Sequence, residues 1–194
     1  MILHGEVVSV KGDIYLPRVF AQEDETARRI AMRVVEPPAP EKIEQILEQV
    51  KREIGLALSS KQEAAVYATY RHNLSIITGS PGTGKTTVLK TILEVYRRLH
   101  PQGEIALMAP TGRASRRMAE STGVDKAKTL HSILGLASEE DEIKRNNTQE
   151  PLSADLIIVD EFSMVDMCWQ INFSHASKVE HGSFLSETRI SFPV

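Results

Sequence analysis

Glycines, a lysine and hydroxyls meet in one short run, Gly79-Ser80-Pro81-Gly82-Thr83-Gly84-Lys85-Thr86-Thr87. Their spacing, G-x-x-x-x-G-K-T, is that of a P-loop, a cradle for phosphates. Gly79, Gly82 and Gly84 allow positive φ and let the backbone come close to phosphate oxygens that a Cβ would hold away. Lys85 supplies a point charge for the β- and γ-phosphates, and the Thr86 hydroxyl is placed to bind Mg²⁺. The other reactive pair is Asp160-Glu161, directly after the apolar run Leu156-Ile157-Ile158-Val159. In a P-loop site, an aspartate at the end of a neighbouring strand holds the Mg²⁺ shell, and a glutamate after it can polarise the attacking water as general base. The pair favours ATP hydrolysis over small-molecule phosphorylation, and no N-K-x-D element for guanine is present.

That chemistry needs a strand before the loop and a helix after it. Leu74 to Thr78 is a short β-type run, and Val88, Leu89, Ile92, Leu93, Tyr96 and Leu99 recur at helical spacing. The first N–H groups of that helix therefore point at the phosphates, where the macrodipole favours negative charge. Glu104 to Ala109 reads as a second strand ending at Pro110-Thr111-Gly112, and a helix carrying Arg113, Arg116, Arg117 and Met118 then runs to near Gly123. Thr129 caps a short helix of Leu130, Ile133 and Leu134; Ser138 to Pro151 is a solvated, initially acid-rich excursion. Leu156 to Val159 is a buried-type strand. Such alternation predicts an α/β chain with a parallel sheet flanked by helices.

Upstream, Val7 to Val10 and Ile14 to Leu16 flank Lys11-Gly12-Asp13 as a hairpin, and a helix follows from about Gln22 with Ala27, Ile30, Ala31 and Val34 at helical spacing. Glu36-Pro37-Pro38-Ala39-Pro40 ends it, because consecutive prolines cannot continue a helix. A second amphipathic helix presents Ile43, Ile46, Leu47, Val50 and Ile54, with Gly55 as its C-cap. Ser59 or Ser60 opens the next, and Gln62 or Glu63 closes a capping box.

With 194 residues, 41% of them hydrophobic and 25% charged, the chain has the composition of an ordinary globular protein. A net charge of −3 gives no global attraction to nucleic acid, so such a site must come from local charge. Arg113, Arg116, Arg117, Lys126 and Lys128 concentrate positive charge in one stretch, which suits sequence-independent phosphate binding. The single cysteine, Cys168, excludes an internal disulfide framework and suits a reducing cytoplasm. Met1-Ile2-Leu3-His4-Gly5-Glu6 lacks the basic region and apolar stretch of a signal peptide, and no apolar run reaches the length of a membrane span.

Four runs in this order carry a family resemblance: L-S-S-K-Q (Leu58 to Gln62), M-A-P-T-G-R-A-S-R-R (Met108 to Arg117), T-L-H-S-I-L-G (Thr129 to Gly135) and D-E-F-S-M-V-D (Asp160 to Asp166). Together with the P-loop they resemble the RecD-like branch of superfamily 1 DNA helicases. The likeness covers Leu58 to Met167, and more loosely the stretch from Ile14. It implies a RecA-like motor domain that uses ATP and Mg²⁺ to move 5′ to 3′ along single-stranded DNA, in recombination or repair. It also implies that Gln62 contacts the adenine; that Gly79 to Thr87 hold phosphates, with Thr86 and Asp160 on the metal; and that Lys85, Asp160 and Glu161 are catalytic. Thr111, Gly112, Arg113, Thr129 and His131 would touch DNA.

After Met167 the likeness stops. Such helicases continue with a strand ending in G-D-x-x-Q-L-P and then a second motor domain that completes the ATP site. The tail from Cys168 to Val194 instead holds the only tryptophan, Trp169, and three of the five phenylalanines. The expected organisation is a hairpin-and-helix segment with linker (1–40), a partial RecA-like domain (41–167) and a divergent tail (168–194), as an interrupted reading frame would leave. The lost strand would sit between the P-loop strand and the Asp160 strand, so the sheet would be incomplete at its centre unless Phe184-Leu185 or Ile190-Ser191-Phe192 docked there. The alternative to an active motor is a nucleotide-binding module without turnover.

Overall fold

A computed structural model of the chain describes residues 7–34, 41–124, 127–134, 154–165 and 183–187. Glu36 to Pro40, Lys126, the excursion from Ser138 to Pro151 and Ile190-Ser191-Phe192 lie outside the described residues. Strands β1 (Val8–Val10) and β2 (Asp13–Tyr15) pair antiparallel around Lys11 and Gly12, whose φ values of 51° and 100° make the tight turn the sequence asks for. Helix α1 (Pro17–Arg33) begins five residues before the expected Gln22, because Pro17 sits at its first position, where a missing N–H costs nothing. The stripe expected to bury α1 does not: Ala27, Ile30, Ala31 and Val34 are all exposed, and Thr26 is the buried residue of that helix.

Helix α2 (Ile43–Ile54) buries Ile43, Leu47 and Val50 and stops at Gly55, in the left-handed conformation at φ 65°. Ile54, expected on the same face, lies at its exposed end. Helix α3 (Ser60–Arg71) opens on the capping box, with Ser59 as the cap and Gln62 as its partner. Lys51 bridges Glu48 and Glu63, tying α2 to α3, and the two glutamates push its ammonium above the ordinary lysine value. Arg98 of helix α4 (Lys85–Leu99) pairs with Glu53 of α2 at 2.6 Å.

Five parallel strands form the main sheet: β3 (Leu74–Thr78), β4 (Ile105–Ala109), β5 (Ala127–Thr129), β6 (Leu156–Val159) and β7 (Ser183–Glu187), in the spatial order β3-β7-β6-β4-β5. Helix α5 (Gly112–Thr122) joins β4 to β5, and α6 (Leu130–Leu134) follows β5. All four residues of β6 are buried, as a strand covered on both faces requires. Leu156 and Ile158 face a core with Leu47, Val88, Ile92 and Leu93; Ile157 and Val159 face another with Met108, Leu130 and Val165. Tyr70 crosses the first core, and its hydroxyl donates to the Ile92 carbonyl at 2.6 Å.

One element departs from expectation, and one stated alternative is realised. Residues 127–129 form an edge strand, too short and too polar to be read as one from sequence. The central slot is also occupied: β7 lies between β3 and β6, with Leu185 paired to both Ile76 and Val159. Of the two tail segments that could have docked there, Phe184-Leu185 does so, and the sheet is continuous from β3 to β5.

Candidate active site

All five strands run the same way and end in register. Thr78 pairs Glu187, Val159 pairs Leu185 and Met108, and Ala109 pairs Thr129. The residues that follow Thr78, Ala109, Thr129 and Val159 therefore emerge on one edge, the carboxyl edge where open α/β sheets hold ligands. The loop from Gly79, the start of α5, the start of α6 and Asp160-Glu161 all stand there.

The loop after β3 is closed on itself by Thr83, whose N–H and hydroxyl both donate to the Ser80 carbonyl, at 3.3 and 2.8 Å. Gly82 and Gly84 hold φ of 81° and 82°, where a side chain is strained. A Cβ on Gly79 would stand 2.7 Å from Thr83 Oγ1, and one on Gly84 would stand 2.5 Å from Gln62 Nε2. Lys85 Nζ donates to the Gly79 and Ser80 carbonyls at 2.5 and 3.3 Å, so its charge lies over the loop concavity.

Asp160 is anchored by its backbone, which donates to the Met108 carbonyl at 2.9 Å and so prolongs the β4–β6 pairing by one step. Its Oδ1 accepts from the Glu161 N–H at 2.9 Å. Glu161 adopts φ 55°, an unfavourable conformation for a residue with a side chain, and opens a 3₁₀ turn over Phe162–Met164. That bend leads the chain off the sheet immediately after the two acids.

Lys85, Thr86, Asp160 and Glu161 line one cleft of about 460 Å³, with Pro81, Gly82 and Gly84 as its loop wall. Its opposite wall comes from α5, through Ala114, Arg117, Met118 and Ser121, and from Leu89 of α4. The spacing 114, 117, 118, 121 is one helical face, so the signal was present in the sequence. Without the packing of α5 beside α4, nothing told that face from a solvated one. A second groove of about 480 Å³ lies along α5 between Gly112, Arg113, Arg116, Arg117 and Glu120. Arg117 borders both.

Gln62 does the capping work expected of it. Its Oε1 accepts from the Ser59 N–H at 2.8 Å, and its backbone N–H donates to Ser59 Oγ at 3.3 Å. It also donates from Nε2 to the Thr83 carbonyl at 3.0 Å, which joins α3 to the loop. Thr111 and Thr129 serve as caps, accepting from the Ala114 and Ser132 N–H groups at 3.2 and 3.1 Å. Arg113 and His131 are exposed on the same edge, while Ser80 and Thr87, in the loop and the first turn of α4, are not among the residues that line the cleft.

The cleft suits a magnesium-bound nucleotide. Thr86, Asp160 and Glu161 offer hard oxygen donors on one side of a backbone cradle whose Gly84 holds a φ of 82° that strains any side chain. Among the described residues no cluster of three or more His, Cys, Asp or Glu forms a protein-only metal cage. Mg²⁺ beside phosphates needs none, because it takes one or two protein oxygens and fills its shell with phosphate and water.

Comparison with known proteins bears on the same residues. Residues 62–185 match the AAA domain family, a span that starts at Gln62 and runs past Met167 into β7. The ATP-dependent RecD2 DNA helicase of Deinococcus radiodurans is 37% identical over 155 residues, covering 80% of this chain and 21% of that protein. The RecBCD enzyme subunit RecD of Haemophilus influenzae is 36% identical over 140 residues, covering 61% of this chain and 22% of the relative. The chain thus spans about a fifth of the length of these relatives. Among solved structures, the Pif1 helicase of Candida albicans is similar at 26% identity and a TM-score of 0.45, over 68% of this chain and 33% of that one. Among the described residues no helix is long and apolar enough to cross a membrane.

Proposed function

The chain belongs to the AAA domain family and, within it, to the RecD-like helicases, and from that premise we propose that it is the ATP-binding N-terminal motor portion of a 5′ to 3′ helicase acting on single-stranded DNA in recombination or repair. The observation that carries this reading is the convergence of Lys85, Thr86, Asp160 and Glu161 on one cleft at the carboxyl edge of the sheet. Residues 1–40 form a separate leading segment in this reading, and the motor portion starts at residue 41 and includes β7.

In this site Gly79 to Thr87 wrap the triphosphate. Lys85, now bonded to the Gly79 and Ser80 carbonyls, turns to the terminal phosphates, which replace two neutral acceptors with charged ones. Thr86 and Asp160 would hold Mg²⁺, which would supply neutralisation of the phosphate charge. Glu161 accepts a proton from the attacking water. The groove along α5 takes the backbone of the strand through Arg113 and Arg116, with the Thr111-Gly112 turn and the Thr129-His131 turn along the same edge. Contacts of this kind are independent of base sequence and weaken with salt.

ATP hydrolysis by the purified chain, measured with and without single-stranded DNA, tests the reading. Stimulation by DNA, abolished by Lys85→Ala, is the expected result. Nucleotide binding without turnover would replace it with the binding-module alternative.

A further inference from the structure

We infer that Arg117 is a bridging residue between the two sites proposed above, its guanidinium tying the phosphates of a nucleotide in the cleft to the backbone phosphates of a strand in the α5 groove. This deepens that reading and rests on it. The observation that carries it is the position of Arg117 on helix α5. Arg113, Arg116 and Glu120 line the groove, Ala114, Met118 and Ser121 line the cleft, and Arg117 lines both. Each set, with Arg117 added, recurs at the i+3 and i+4 spacing of one helical stripe, so the two stripes are neighbours and Arg117 stands on their shared border. Backbone geometry fixes that place, whatever rotamer the side chain adopts. Ala114, Ser115 and Met118 are buried, Met118 in the same core as Leu89 of α4, and their burial locks the rotation of the helix. Arg117 itself is exposed and has room to turn to either opening.

Charge gives the bridge its purpose. The cleft lining carries Lys85 and Arg117 against Asp160 and Glu161, so a magnesium-bound triphosphate, itself a net anion, adds negative charge that the lining does not offset. In the groove Arg113, Arg116 and Arg117 stand against Glu120 alone, and a strand brings one negative charge with each nucleotide. Bound together, the two polyanions flank one helix and repel each other. A helix is about 10 Å across, close to the Debye length at physiological salt, so that repulsion is only partly screened. A guanidinium between them offsets it, and its planar fork of donors can hold an oxygen of each anion at once. Lysine would keep the charge without the fork. Arg117 thus makes each ligand favour the other, and linkage requires the same factor in both directions. Arg116, the same residue type one position earlier, lines the groove and not the cleft, which makes it the control.

A binding cycle on the purified chain tests the bridge. Affinity for a magnesium-bound, non-hydrolysable ATP analogue is measured with and without saturating oligothymidylate, and affinity for oligothymidylate with and without the analogue. The proteins are the parent, Arg117→Ala, Arg117→Lys and Arg116→Ala. The parent is expected to bind each ligand about fivefold or more tightly when the other is present, Arg117→Ala to bring that factor to about one, and Arg117→Lys to fall between. Arg116→Ala is expected to weaken oligothymidylate binding and to keep the parent's factor, which a general loss of positive charge from α5 would not allow. Either Arg117 variant retaining the factor in full, Arg116→Ala losing it equally, or a parent that binds both ligands with no factor between them overturns this inference and leaves the two sites standing. A parent that binds no nucleotide, or no oligothymidylate, overturns the reading beneath it as well.

Discussion

Gly84 is constrained twice, by a φ of 82° and by Gln62 Nε2 standing 2.5 Å from where a Cβ would lie. Gly84→Ala therefore pays about 1–2 kcal/mol for the left-handed backbone and also displaces the amide. A lowered melting temperature with loss of Mg-ATP binding is the expected outcome, read by thermal denaturation and titration. Glu161 is the opposite case, since its left-handed backbone is unfavourable yet retained at the mouth of the cleft. Strain kept in the lining of the cleft fits the proposal that the position of the carboxylate matters more than local stability. Glu161→Gln is expected to bind Mg-ATP with nearly unchanged affinity and to lose hydrolysis by roughly 10²- to 10⁴-fold, the range a general base contributes. Steady-state hydrolysis beside equilibrium binding separates the two effects.

The elements hold these residues by ordinary burial. Leu47 is 0% exposed on α2 and packs toward α4, so Leu47→Ala is expected to cost about 2–5 kcal/mol in denaturant unfolding. The ion pairs beside it, half-buried for Lys51 with Glu63 and exposed for Arg98 with Glu53, add orientation more than stability. Tyr70 supplies a pH dependence. Burial pushes its phenol well above the ordinary value, and burial with the nearby Asp155 carboxylate pushes Tyr96 up to about 12. A raised folded value means that the contribution is fully present below the unfolded pKa of about 10 and is lost as pH rises through the folded one. Stability should thus be flat through neutral pH and fall above pH ~10. Tyr70→Phe should cost about 1 kcal/mol at pH 7 through the lost bond to Ile92 and shallow the alkaline decline, as unfolding curves at successive pH values would show.

For the molecule as a whole, β7 is decisive, because Leu185 pairs Ile76 on one side and Val159 on the other. Proline cannot donate to a ladder and is confined to edges, so Leu185→Pro is expected to abolish cooperative thermal unfolding followed by circular dichroism. The same substitution would leave the melt intact if the segment lay outside the sheet. The phosphate loop, its strand and helix, the Asp160-Glu161 pair and the caps at the Ser59-Ser60 pair and at Thr129 were legible in the sequence. Each rests on local chemistry: a glycine where φ is positive, a hydroxyl where a helix begins, apolar residues at the period of the element. The wall that α5 builds across the cleft, the pairing of residues 127–129 and the bond from Gln62 to Thr83 were not legible, since each depends on which elements lie side by side. The tail shows the limit most plainly. Its composition departs from the rest of the chain, yet residues 183–187 enter the centre of the sheet. Strand pairing is made by backbone groups that every residue carries, so local sequence determined the loop and its reactive groups, and only the tertiary structure decided which segment completes the sheet behind them.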